Sequence, residues 1–327
     1  MQLFACPDCG NRVYFENHVC ASCNAQLVFD PAEGEFAPDR PICANRSKIG
    51  CNWAASGESE YCHSCQMTDV TPDLGLAKNV ALWAEGEEDK RWVLYGLGHW
   101  GWFGPSDPGQ LPVFHFKSET TRRGNVPVVM GHANGVITIN VMEADPVIRT
   151  RRRELLDEDY RTMMGHHRHE LAHYLFIRLS EFDGFLDEFR RVFGDEREDY
   201  GAALQRHYAE GPPLEWQNSY VTPYATAHPH EDWAETVAHI LHLTDILDSA
   251  VAVGVAHAAA PERPDDPYAT RDADQLIDAS VDLGLALNHV NRSMGLPDLY
   301  PFVLSNIVRD KLACAHHWLT VQLSDAA

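Results

Sequence analysis

The segment His169-Glu170-Leu171-Ala172-His173 has the residue types and spacing of a zinc-dependent hydrolase site. In an α-helix, residues i and i+4 lie on one face, so both imidazoles can bind one ion. Glu170 lies about 100° around the helix from His169, near a bound water rather than near the ion. The alternative is a pair of ordinary buried histidines, which a buried helix normally avoids unless their polar groups are satisfied. The pattern therefore predicts zinc-activated water as the nucleophile and Glu170 as the general base.

A catalytic zinc needs a third protein ligand and an open position. A Gly-x-x-His continuation of the motif is excluded, because Phe176 and Leu179 stand at those positions. We expect Glu231 to bind the metal and Glu235, one helical turn later, to orient a histidine ligand. The reverse order of the two glutamates stays open, as does a solvated acidic face. Asp232 is expected to face away as a favourable charge at the start of the helix.

A zinc peptidase also needs a hydrogen-bond donor for the oxyanion that forms on the substrate carbonyl. Tyr224 and His239 are predicted as catalytic residues of this kind, with His228 and Tyr220 as further candidates. The sequence does not choose among them. His239 lies one helical turn beyond Glu235, so a core or supporting position is its alternative.

Cysteines concentrate near the start of the chain, where eight of the nine occur at or before Cys65. The first four form two C-x-x-C knuckles that predict one closed, structural zinc site. Those ligands are Cys6, Cys9, Cys20 and Cys23. Such sites fold a segment rather than catalyse, because they leave no open position.

A second cluster predicts a further structural zinc, although only its last pair has knuckle spacing. Its ligands are Cys43, Cys51, Cys62 and Cys65, with His63 as a competing ligand. Trp53 is expected to pack this module, and Cys314 to be a small core residue. The predicted cofactors are therefore one catalytic zinc and one or two structural zincs.

The composition limits the partners. The chain has 327 residues, 45% hydrophobic content and a formal charge of -22, which disfavours binding to nucleic acid or to an anionic membrane. We expect a peptide or protein substrate, and protein docking through the cysteine-rich module.

Paired cysteines without a signal peptide or an apolar span indicate a reducing compartment, so we expect a cytoplasmic protein.

The coarse pattern predicts an α+β protein with a zinc-ribbon module over 1–68 and a mainly helical, zincin-like catalytic domain over 69–327 with a small antiparallel sheet. Leu76 to Leu97 is predicted as a helix interrupted by the charged stretch 85–91. Asn134-Gly135 predicts a hairpin between strands 126–130 and 136–141, and segment 135–140 is a candidate edge strand for an extended substrate, with a buried strand as the alternative. Further helices are predicted over 146–157, 159–181, 185–193, 197–209, 230–249, 271–294 and 301–322.

The block from His228 to Thr236, together with several shorter blocks, resembles the bacterial family of zinc-binding metallopeptidases with an N-terminal zinc-ribbon domain. The resemblance covers nearly the whole chain, and the most distinctive block is His228-Pro-His-Glu-Asp-Trp-Ala-Glu-Thr236. Others are Cys6-x-x-Cys9-Gly10, Cys51-Asn-Trp53, Tyr160-Arg161-Thr162, Gly165-His166-x-Arg168-His169-Glu170, Phe193-Gly-Asp-Glu196 and Gly211-Pro-Pro213. The resemblance implies a gluzincin-like fold and a metal more strongly than a substrate. This chain departs from the pattern at Ala172 and His230, and neither residue needs to bind metal.

The leading hypothesis is therefore a zinc peptidase. One alternative is a non-catalytic zinc-binding protein-interaction module, which the intact Glu170 disfavours because metal binding does not need that carboxylate. Another is a zinc amidase or isopeptidase that acts on small substrates, and the sequence does not separate this from a peptidase.

Overall fold

The computed structural model describes residues 2–156, 162–300 and 303–324. Its helices are α1 Arg46–Ile49, α2 His63–Gln66, α3 Ala77–His99, α4 Pro146–Leu156, α5 Met163–Leu179, α6 Phe185–Val192, α7 Tyr200–Glu210, α8 Pro229–Ala252, α9 Ala256–Ala259, α10 Ala273–Ser293 and α11 Asn306–Leu319. Its strands are β1 Phe4–Ala5, β2 Arg12–Val13, β3 Phe29–Asp30, β4 Glu35–Phe36, β5 Thr68–Val70, β6 Val113–Lys117, β7 Thr120–Thr121, β8 Gly124–Asn125, β9 Gly131–Ala133 and β10 Val136–Asn140. Small strand pairs followed by a mostly helical region confirm the predicted α+β class.

Two compact units divide the described chain. One is Leu3–Tyr174, and the other is Leu175–Ala327 with the first two residues. The division falls inside α5, whereas the predicted domain boundary at 68/69 stays a prediction. None of the described helices combines the length and the apolar character needed to cross a bilayer.

Several helices begin at a capping side chain. The side chains of Asp199, Asp272 and Ser305 accept hydrogen bonds from backbone N–H groups in the first turns of α7, α10 and α11. Such caps satisfy donors that have no partner within the helix. They explain why the helices predicted at 197–209 and 301–322 begin later in the structure. Residues 157, 159–161 and 301–302 of the predicted helices, with the motif residues Tyr160 and Arg161, lie outside the described residues.

A four-stranded sheet precedes the helix with the histidine motif. Its order is β5-β6-β10-β9, with β6 parallel to both β5 and β10 and only β9 antiparallel to β10. The sheet is therefore mixed rather than wholly antiparallel, because α3 connects β5 to β6 and a parallel pair requires such a crossover.

The predicted hairpin exists, but its first strand is displaced. Asn134-Gly135 joins β9 to β10, both residues have positive φ, and segment 126–130 has no strand. Because β10 has partners on both sides, the prediction that 135–140 is an edge strand is wrong. One edge of the described sheet is β9, which ends three residues later than the predicted strand 126–130 and so leaves a shorter turn before β10.

Helix α3 is continuous, so the predicted interruption at 85–91 is also wrong. The charged residues of that stretch include three of the most buried in the unit. Glu87 Oε2 pairs with Lys90 Nζ at 2.8 Å, and Glu87 Oε1 accepts hydrogen bonds from Thr68 and Trp83. Lys90 also donates to Ser64 O, at 3.0 Å, and to Thr68 Oγ1, at 2.6 Å. Buried charges are tolerated where they are paired and hydrogen-bonded in this way.

In the second unit, α8 packs against α10 and α11 around an aromatic core. The fully buried Trp233 contacts Phe185, Phe189 and Phe193 at ring separations of 5.4–6.0 Å. Pro229 occupies the first turn of α8, where its missing N–H costs nothing. This packing fixes the start of the helix that contains Glu231 and Glu235.

Candidate metal centres and active site

His169 and His173 lie one turn apart on α5 and face each other. Their Nε2 atoms are 3.1 Å apart, and the rings are nearly perpendicular at 4.8 Å. Two nitrogens that bind a tetrahedral zinc at about 2.0–2.1 Å lie about 3.3 Å from each other. The pair therefore has the separation expected of two ligands of one zinc ion.

Glu170 is the next residue on the same helix. It is 6% exposed, and its Oε2 has no hydrogen-bond partner among the described residues. A buried carboxylate oxygen without a hydrogen-bond partner destabilises the fold, so such groups usually have a catalytic role or bind a water molecule or an ion. The arrangement is chemically suited to a base that accepts a proton from a water molecule.

The two other histidines of the motif segment have structural contacts. His167 Nε2 lies 2.8 Å from Gly86 O, and its ring contacts Phe114 and Phe116. Burial, with the nearby charge of Lys90, lowers the pKa of His167 to about 3, so the ring is neutral. His166 Nε2 lies 3.8 Å from Glu143 Oε2. This agrees with the expectation that neither residue is a ligand.

The hairpin at the sheet edge lies beside this helix. His132 of β9 contacts the ring of Tyr174 at 5.8 Å, and a Cβ added at Gly135 would lie 3.6 Å from the same ring. Burial, with the charge of His173, lowers the pKa of His132 to about 4. The edge strand of the described sheet therefore lies within electrostatic range of a predicted ligand.

Glu231 and Glu235 occupy the first two turns of α8 in the second unit. Glu231 is 1% exposed, and its Oε1 accepts a hydrogen bond of 2.6 Å from the Tyr200 hydroxyl. Glu235, one turn later, is half-buried. Asp232 is also buried, and its Oδ2 pairs with Lys311 Nζ at 2.6 Å, so it is more than a favourable charge at a helix start.

The predicted oxyanion donors fall in different surroundings. Tyr224, in the short helical turn Tyr224–Ala227, is near Glu231, and burial together with that charge raises the pKa of its hydroxyl, which stays protonated. His239 is buried with its Nδ1 against the Tyr300 hydroxyl, and burial lowers its pKa to about 4. His228 caps α8 by accepting from His230 N–H. Tyr220 lies under Lys311 Nζ, 4.1 Å from the ring centroid.

Sequence reasoning missed Tyr200. It lies on α7, 31 residues before Glu231, and its hydroxyl donates a hydrogen bond to that glutamate. No local pattern marks it, because the contact depends on how α7 and α8 pack within the second unit. Only the three-dimensional structure could identify it.

The first cysteine cluster has the geometry of a zinc site. The Sγ atoms of Cys6 and Cys23, and those of Cys9 and Cys20, are 3.7 Å apart, and all four lie within 4.8 Å of one another. Sulfurs at about 2.3 Å from a tetrahedral zinc are about 3.8 Å apart, whereas a disulfide requires about 2.05 Å. Cys9 and Cys23 are exposed.

The second cluster is more deeply buried. Its sulfurs also lie within 4.8 Å of one another, with Cys51 Sγ 3.6 Å from Cys62 Sγ and 3.8 Å from Cys65 Sγ. All four of its cysteines are buried. His63 Nε2 instead lies 2.8 Å from Phe103 O, and the sulfurs assemble without this histidine. The four-cysteine set is therefore the ligand set that the structure favours.

The remaining predictions for cysteines and tryptophan concern packing. Trp53 contacts Phe15 and Phe29 at ring separations of 6.4 and 6.5 Å, as expected for the core of the cysteine-rich module. Cys314 is buried, and burial raises the pKa of its thiol to about 12. Such a thiol is an unreactive core group.

Comparisons with known proteins give two family matches and three similar chains. Residues 3–39 match a zinc-ribbon domain, and residues 79–318 match the family described as "Putative zinc-binding metallo-peptidase". Uncharacterized proteins of Mycobacterium bovis and of two strains of Mycobacterium tuberculosis are each 40% identical to the chain over 335 residues, covering 97% of this chain and 94% of theirs. No solved structure was found to match. With a cysteine-rich module at its start and a paired-histidine helix beyond it, the chain belongs to the zinc-binding metallopeptidase family that its residues 79–318 match.

Proposed function

We propose that this protein is a zinc-dependent peptidase in which His169 and His173 bind the catalytic zinc, Glu231 is the third ligand and Glu170 is the general base. The observation that supports this most directly is the 3.1 Å separation of the two Nε2 atoms, with the buried Glu170 carboxylate adjacent on the same helix. A zinc ion at such a site polarises a carbonyl group and lowers the pKa of water.

The chain's own residues supply the remaining chemistry. Glu170 accepts a proton from the attacking water and returns it to the leaving nitrogen of the amide. Tyr224, whose raised pKa keeps its hydroxyl protonated, donates a hydrogen bond to the oxyanion. His239 is the alternative donor, but its contact with Tyr300 favours a supporting position.

Glu231 is preferred to Glu235 as the third ligand for a reason of position. Its carboxylate is almost fully buried and held by the Tyr200 hydroxyl, and a ligand carboxylate is usually oriented by such a hydrogen bond. Glu235 remains the candidate for orienting a histidine.

We also propose peptide or protein substrates, bound in an extended form along the edge strand β9. An extended peptide can pair with the backbone groups that an edge strand exposes. A cytoplasmic location fits the cysteines, since eight of them form metal-type clusters rather than disulfides.

The decisive experiment combines zinc content with peptide hydrolysis for the wild type, Glu170→Gln and His169→Ala. We expect about three zincs per chain in the wild type and in Glu170→Gln, but two in His169→Ala. Both variants should lose at least on the order of 100-fold in kcat, because general base catalysis alone contributes about 10²–10⁴. Glu181→Gln, at an exposed position just beyond α5, is the control and should retain full activity.

Other results would support different functions. Zinc retained without hydrolysis of any peptide or small amide would favour a binding module. Hydrolysis of small amides alone would favour an amidase. Zinc loss in Glu235→Gln but not in Glu231→Gln would reverse the two glutamates.

A further inference from the structure

Arg91 of α3 is buried beside the second cysteine cluster. Its side chain is 2% exposed, and its Nη1 has no hydrogen-bond partner among the described residues. The preceding residue, Lys90, donates to the carbonyl of Ser64, which lies between Cys62 and Cys65 in α2. This contact places the Arg91 turn of α3 directly against the cluster.

The charge of the cluster explains why an arginine is there. Four thiolates on one Zn²⁺ have a formal charge of -2, and burial of an uncompensated charge is expensive. Burial acts to lower the pKa of Arg91, but the charges of Cys51, Cys65 and Cys62, with that of Glu87, together outweigh it and raise that pKa. The guanidinium is therefore charged and lies within the field of the thiolates.

A second arginine, Arg46, is also within the field of the cluster, since burial lowers its pKa while the charges of Cys51 and Cys43 act to raise it. Arg46 donates to the backbone carbonyls of His18 and Leu27, so its hydrogen bonds hold the cysteine-rich segment itself together. The first cluster also differs, since water can solvate its exposed Cys9 and Cys23. Arg91 belongs to a helix outside both clusters. Its Nη1 has no hydrogen-bond partner among the described residues, so it can balance the charge of the buried thiolates.

The same face of α3 holds the rest of the module. Trp92 contacts Phe15 at a ring separation of 5.6 Å, and Tyr95 contacts Phe15 and Phe29 at 5.2 and 5.3 Å. Aromatic packing and a buried charge thus meet on two adjacent turns of one helix. The cluster residues 43–65 lie outside both matched family segments, 3–39 and 79–318.

We propose that Arg91 and the second cysteine cluster form a metal-dependent junction, in which Arg91 is the counter-charge of a zinc tetrathiolate and this pairing fastens the cysteine-rich module to α3. Arg91 is a positioning residue in this role. The junction is independent of the proposed peptidase chemistry, since it concerns a different zinc.

The test is the rate of cysteine alkylation by N-ethylmaleimide on the full-length, zinc-loaded protein, resolved by residue with mass spectrometry and repeated at rising chelator concentrations. In Arg91→Met, Cys43, Cys51, Cys62 and Cys65 should become reactive at about 10–100-fold lower chelator concentration than in the wild type. Arg91→Lys keeps the charge and should restore most of the protection. Arg12→Met removes an exposed positive charge from the same module and should change nothing.

Two sets of cysteines serve as internal references. Cys6, Cys9, Cys20 and Cys23 report on the first zinc, and the buried Cys314 reports on the folding of the second unit. Wild-type protection at residues 43–65 in Arg91→Met would overturn the proposal. Alkylation of these cysteines that is independent of zinc in the wild type would also overturn it.

A second measurement needs no substitution at position 91 and covers the case in which Arg91→Met does not fold. Hydrogen exchange in wild-type α3 should accelerate at the chelator concentration that makes residues 43–65 reactive. Unchanged exchange in α3 after loss of that zinc would show that the metal does not fasten the module.

Discussion

At the scale of single residues, the structure separates groups that sequence patterns treat alike. His167 and His169 lie two positions apart, yet His167 is buried against Gly86 O while His169 faces His173. Glu231 and Asp232 are neighbours, but one accepts from Tyr200 and the other pairs with Lys311. The 3.6-residue period explains the difference, because adjacent residues point about 100° apart.

Tyr200 provides a test of the proposed third ligand. Tyr200→Phe removes only the hydroxyl that donates to Glu231 Oε1, and loss of such an orienting group typically weakens metal binding by about 10–100-fold. We expect the zinc affinity of the site formed by His169 and His173 to fall by this factor in Tyr200→Phe, as measured by competition with a chromophoric chelator. Tyr208→Phe, on the exposed part of the same helix, should bind zinc like the wild type. Equal affinities for all three proteins would argue against Glu231 as the ligand.

At the scale of elements, α3 shows how tertiary contacts reverse the meaning of charge. The stretch 85–91 suggests a solvated break in the helix, yet Glu87 and Lys90 are fully buried, and Lys90 Nζ lies 4.8 Å from the Phe114 ring centroid. Partners from α2 and β5 satisfy these charges, and both elements lie earlier in the chain. The helix therefore organises the first unit through polar contacts as well as through its apolar residues.

Lys90→Met tests this role of α3. The change removes the ammonium but leaves Glu87 buried, and breaking a buried ion pair on one side costs about 3–5 kcal/mol. We expect a fall of that size in the free energy of unfolding of the first unit, measured by denaturant titration of the zinc-loaded protein. Arg122→Met, in the same unit, breaks the pair that this exposed arginine forms with Asp73 and should cost less than about 1 kcal/mol. A similar small loss for both variants would mean that the Lys90 network contributes little.

At the scale of the whole molecule, the two cysteine clusters differ in their access to solvent. The first has two exposed ligands, Cys9 and Cys23, whereas all four ligands of the second are buried. A chelator or an oxidant must reach the metal or a sulfur to displace it. The two zincs should therefore leave the protein at different rates.

Zinc release to an excess of chromophoric chelator should contain separate phases for the two clusters. We expect the first cluster to release zinc at least about ten times faster. Its exposed thiolates, Cys9 and Cys23, can dissociate from the zinc without local unfolding, whereas the buried ligands of the second cluster become accessible only when the unit opens. The Cys9→Ser variant should lose the faster of these two phases, and Cys43→Ser should lose the slower one. Release of both zincs at one rate would indicate that the module opens as a whole.

The sequence by itself determined the motifs whose geometry is local. The i, i+4 histidines, the adjacent Glu170 and the C-x-x-C knuckles follow from helix and turn geometry, so their positions did not depend on the rest of the chain. Helix existence in the second half was predictable for the same reason, since apolar periodicity and capping residues act over a few positions. The edge strand was misplaced because a hairpin's strand length depends on its partners in the sheet.

Only the tertiary structure decided the contacts between segments far apart in sequence. It placed the Tyr200 hydroxyl on Glu231 and Lys311 on Asp232. It also buried Arg91 beside the second cysteine cluster, whose four ligands the sequence had already indicated. These contacts have one physical reason. A buried polar group needs a hydrogen-bond or charge partner, and tertiary packing decides which residue supplies it, so the spacing of residues in the sequence does not predict the pair.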